Sequence, residues 1–194
     1  MAKTPAKTAA QPASRTAPRQ AVTLELAAAT CPDASLAEAL SRTFGLDPVD
    51  TAGIREATEE HVALAAKALP LSEKALQMHL QRIVGAHVGS AFGAGQFYSA
   101  KVTQARDLTA RGANDARDED RDGAAGFDSR AERARFFAAE MGLQAHALLA
   151  AAEGAVSAFA HLTGEEWKPY EAPPPAAQAV SRQSASAQMA AFGG

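Results

Sequence analysis

Fifty of the 194 residues are alanine, and no other feature constrains the fold as much. Alanine has the highest intrinsic helix propensity but buries little surface per residue. Such a chain favours helices over strands and cannot gather a core of large side chains. Aromatics are only 6% of residues although the apolar fraction is 47%, which excludes a core built on big rings. One cysteine excludes an intrachain disulfide or a cysteine-rich zinc module.

Low-complexity segments flank the central region. Residues 1–24 hold Lys3, Lys7, Arg15 and Arg19, with Pro5, Pro12 and Pro18, and read as a disordered basic arm that cannot offset ordering entropy. Residues 171–194 open with three prolines and continue in Ala, Ser and Gln, a second disordered tail. The formal charge is −3; removing the arm's +4 leaves about −7 on residues 25–170. The basic arm thus sits on an acidic body, and the overall balance excludes a wholesale basic nucleic-acid binder. The polar N-terminus lacks the apolar run of a signal peptide, which points to the cytoplasm.

Residues 25–170 read as four helical segments. The first opens at Asp33 or Ser35, where Ser35 and Glu38 match a capping box, and closes before Gly45. The second runs from about Thr51 to Leu69, with Ile54, Val62 and Leu69 inward, and is stopped by Pro70. The third starts after Ser72 and continues to about Arg111, on a stripe through Leu76, Leu80, Ile83, His87, Ala91, Ala94, Tyr98, Val102, Ala105 and Leu108. The fourth opens at Ser129 with Glu132 and ends at Gly164, its stripe running through Phe137, Met141, Leu148, Ala152, Val156 and Phe159. The polar connection Gly112–Asp128 would join the two long helices as an antiparallel hairpin, closed by the first two. The fold class expected is all-α, a small bundle built on that hairpin, with no strands and no repeats. The stretch Met141–Gly164 has the length of a membrane span, yet it carries Gln144, His146, Glu153 and His161 and reads as a buried soluble helix.

Gly85, Gly89 and Gly93 recur every four residues, and Gly142 and Gly154 lie in the last helix. Glycine inside a helix costs about 1 kcal/mol relative to alanine, so something offsets it. Three readings fit: close contact between the two long helices, a self-association surface, or a break at Gly93–Gly95. Because alanine buries little area, pairing with another copy would enlarge a thin core, and a homo-oligomer is expected. Trp167 and Tyr170 follow the last helix, placed either to cover the bundle's open end or to dock a partner.

Candidate chemistry is sparse. Asp118, Asp120 and Asp122, followed by Gly123, reproduce the opening of a calcium loop, but Ser129 replaces the closing glutamate. A self-neutralised loop is the simpler reading, with Ca²⁺ as the one cofactor that these residues suggest. The five histidines show no Glu-x-x-His, His-x-x-x-His or HExxH spacing. Cys31 has no base or orienting group in sequence reach. No enzyme is expected. The reading is therefore a non-catalytic helical interaction or assembly protein that works through Ala/Gly faces on itself or a protein partner. The alternative is a nucleic-acid-associated factor using Lys3, Lys7, Arg15 and Arg19 on phosphates. A third is an amphipathic coat on a hydrophobic surface.

Overall fold

A computed structural model describes residues 21–117 and 121–170, with side chains over 21–114 and 125–170. Among the described residues it contains five helices and no strand: α1 Leu24–Thr30, α2 Ala34–Phe44, α3 Thr51–Ala68, α4 Glu73–Arg117 and α5 Arg121–Thr163. The long helices α4 and α5 pack along each other; α3 lies on α5, α1 on α4 and α2 on α5. Gln77 of α4 bonds Glu165 just past α5, whereas Thr109 of α4 accepts from Arg135 of α5. The early part of α4 therefore lies beside the end of α5, and the late part beside its beginning.

Local chemistry sets most boundaries. Asp33 caps α2 by accepting from the Leu36 amide at 2.8 Å, and Asp50 caps α3 by accepting from the Gly53 amide at 2.9 Å. Gly45 ends α2 at φ 63°, a left-handed conformation that only glycine adopts freely. α4 opens with the Leu76 amide donating to the Ser72 carbonyl. The larger buried side chains gather toward one end, where Val62, Leu80, Val84, Val88, Phe159 and Trp167 share one cluster. At the other end the buried positions are small residues, among them Ala105, Gly112, Ala131, Ala134 and Ala138.

Several expectations are corrected. α1 was not anticipated: its seven residues, capped by Thr23 on the Leu26 amide, are too few to show a period. α5 begins at Arg121, not Ser129, and α4 reaches Arg117, so most of the expected connection is helix. That stretch contains no proline, and isolated glycines at about 1 kcal/mol each do not break a helix rich in Ala and Arg. α4 runs through Gly93–Gly95 without a break. Leu80, Ala91 and Ala105 of the expected α4 stripe are buried, and Val84 and Val88, outside that stripe, are buried with them; Leu69 and Phe137, expected inward, are exposed. One stretch, Ala125–Thr163, is long and apolar enough to cross a membrane by length and composition; 39% of its most apolar window is buried in the bundle.

Candidate functional groove

The glycines divide into two classes. Gly95, Gly142 and Gly154 sit where helices touch: a Cβ would come within 2.3 Å of Thr30 Oγ1 at Gly95, 3.1 Å of Leu40 and Tyr98 at Gly142, and 2.3 Å of the Arg55 carbonyl oxygen at Gly154. A Cβ at Gly85, Gly89 or Gly93 would meet nothing within 4 Å among the described residues, and all three lie exposed. The expectation that this row forms the contact between the two long helices is therefore overturned, because α4 turns it away from α5. The internal contacts are made by the other glycines instead.

The exposed row lies in an unusual stretch. Between Arg82 and Lys101 there is no Asp, Glu, Lys or Arg over 18 residues, which at 1.5 Å per residue is about 27 Å of helix. The outward positions there include Ala86, Ser90 and Phe97 besides the glycines, and Phe97 is 64% exposed. Ser90 donates its hydroxyl to the Ala86 carbonyl of its own helix at 2.9 Å, so it adds little polarity to the surface. Solvated helix faces normally carry charge; this one does not.

One end of the row opens into a groove of about 630 Å³, walled by Val22, Met78, Gly85, Gly89, Trp167 and Tyr170. The chain after α5 builds its far wall. Gly164, at φ 70°, turns the backbone back; Gln77 then donates to the Glu165 carboxylate at 2.7 Å, and Gln81 donates to the Lys168 carbonyl. Trp167 is thereby pressed to 8% exposure in the core cluster, while Tyr170 stays 75% exposed. The Trp167 indole N–H is buried and has no hydrogen-bond partner among the described residues. The fold brings Gly85, Gly89, Trp167 and Tyr170 around one cavity, continues the same face to Gly93, and leaves Gly142 elsewhere under α2. Trp167 covers the core, as one of its two sequence readings expects, and also lines this groove. The uncharged run from 83 to 100 is the signal that sequence reasoning passed over.

The remaining candidates lie apart from this groove. Asp118 and Asp120 fall outside the described residues, as does the Asp122 side chain. Residues 121–129 are helical, not the turning loop that a calcium site needs. Among the described residues no group of three His, Cys, Asp or Glu side chains converges. Cys31 has its thiol against the Ala91 and Ala145 carbonyls at 3.7 and 3.5 Å, and burial pushes its pKa up against a weaker opposing hydrogen bond with Thr30. His161 bonds Glu59 across α5 and α3 at 2.6 Å, whereas the buried Nδ1 of His146 has no partner among the described residues. Lys3, Lys7, Arg15 and Arg19 lie outside the described residues. Comparison of the chain with protein-family profiles, curated proteins and solved structures found no match in any of the three.

Proposed function

We propose that this chain is a non-catalytic helical assembly protein whose outer α4 face receives a helix of a second copy. The observation that carries the reading is the exposed row Gly85, Gly89 and Gly93, with no atom of the described residues within 4 Å of any of the missing side chains. Each glycine costs a helix interior about 1 kcal/mol, and among the described residues nothing takes advantage of the space. A row at four-residue spacing is a shallow groove into which the corresponding ridge of another helix fits. The absence of charge from 83 to 100 removes the desolvation penalty that usually opposes burying such a face. Met78 and Phe97, both more than half exposed, flank the row as apolar anchors of the kind interface centres use.

Light scattering and sedimentation on the full chain at micromolar concentration test this. The wild type is expected to be a homo-oligomer. Gly89→Leu, which fills the groove with a good helix former, is expected to shift it to monomer while helical circular dichroism is retained. A monomeric wild type, or an oligomer indifferent to G89L, would remove the reading.

A further inference from the structure

A second cavity, of about 600 Å³, lies toward the other end of the bundle, lined by the end of α2 and by facing residues of α4 and α5. Its floor follows α4 from Tyr98 to Ala113, about 22 Å of helix at 1.5 Å per residue. The floor and walls are apolar, with Val102, Ala105 and Ala138 below and Leu40 and Phe44 of α2 at one side. Phe136 stands edge-on to Phe44 at 6.2 Å between ring centroids.

The polarity of this cavity is one-sided. Arg106 and Arg135 both line it, and no acidic side chain does so among the described residues. Both arginines stand at the same cavity as Thr109. Arg135 donates to its hydroxyl at 2.7 Å, and Arg106 stands three residues earlier on the same helix, within a turn of it. Neither forms an ion pair among the described residues. Two guanidinium groups at the edge of an elongated apolar trough match a carboxylate joined to a hydrocarbon chain, since the planar fork binds carboxylate oxygens pairwise. The volume lies within the range of small-ligand pockets.

We infer that this trough binds one single-chain fatty carboxylate, its hydrocarbon laid along α4 beneath Phe44 and its head group held by Arg106 and Arg135. The site is separate from the glycine face and does not depend on assembly through it.

Calorimetric titration of the full chain with dodecanoate below its micelle concentration tests the inference. The result expected is saturable binding at one per chain, more than tenfold tighter than for dodecyltrimethylammonium and dodecanol. Affinity should rise roughly fourfold per methylene from octanoate to dodecanoate. Arg106→Gln with Arg135→Gln is expected to abolish the head-group preference while leaving dodecanol binding unchanged. Ala110 lines the cavity and is exposed, so Ala110→Trp can fill the trough without entering the core and should remove binding of all three probes. The proposal is overturned by no saturable dodecanoate binding, by equal affinities across the three head groups on the wild type, or by full dodecanoate affinity in a folded A110W chain. The wild-type head-group comparison keeps it testable even where a variant does not fold.

Discussion

At the scale of single residues, glycine in this chain has two opposite energetic roles separated by what stands over the missing Cβ. At Gly154 an added methyl would meet the Arg55 backbone at 2.3 Å, and backbone cannot rotate away as a side chain can. Gly154→Ala is therefore expected to cost about 1–3 kcal/mol through overpacking between α3 and α5, seen as a lower urea midpoint. Gly89→Ala meets open space and should stabilise the isolated chain by up to ~1 kcal/mol of helix propensity, measured in dilute solution. Equal effects of the two substitutions would contradict the assigned positions. His87 gives a pH dependence at the same scale: burial lowers its pKa, and the nearby His61 lowers it further. A histidine depressed in the folded state binds protons more readily when unfolded, so its contribution is complete above the ordinary value of about 6.5. That contribution is lost as pH falls from there toward the folded-state value. The urea midpoint is expected to drop between pH 7.5 and 5.5, and to drop less in His87→Gln.

At the scale of elements, helix ends were legible where a single residue sets them, as with Asp33, Gly45 and Pro70. Asp33→Ala should cost about 1 kcal/mol by orphaning the Leu36 amide, checked by thermal melting. The same change at Ser35, the other candidate opening, should be nearly silent because Asp33 already fills the cap. Faces were harder to read than ends. On α4, alanine and glycine occupy several faces, so a periodic line through Ile83, His87, Ala94 and Tyr98 fits about as well as the buried line through Leu80, Val84 and Val88. Periodicity discriminates faces only when one is polar, and between Arg82 and Lys101 none is charged. The orientation of the glycine row, and with it half of the candidate groove, was therefore settled by tertiary packing alone. The Trp167 wall was half legible, since an aromatic after Gly164 is expected to fold back, but its meeting with Gly85 and Gly89 depends on Gln77 and Gln81 clasping the chain.

At the scale of the whole molecule, packing is uneven along the two long helices, and this has a measurable consequence. The end built by α1, α3 and the adjoining parts of α4 and α5 buries Val62, Leu80, Val84, Val88, Phe159 and Trp167 together. Toward the α4–α5 connection, the buried positions are small, among them Ala105, Gly112, Ala131, Ala134 and Ala138, and among the described residues α2 is the other helix packed there. Burial stabilises in proportion to apolar area, at roughly 25 cal/mol per Å², and an alanine contributes a small fraction of what a leucine or tryptophan does. Local opening free energy should follow that gradient. Amides of residues 100–114 and 125–137 are expected to exchange with deuterium well before those of 80–92 and 148–160, and with a weaker dependence on denaturant because less surface is exposed in each opening. Trp167→Ala should abolish the difference from the stable side, since removing a buried aromatic costs about 3–5 kcal/mol and loosens the end that is otherwise last to open. Uniform exchange along α4 in the wild type would mean that the alanine seam carries as much cohesion as the large side chains, against the area argument on which the gradient rests.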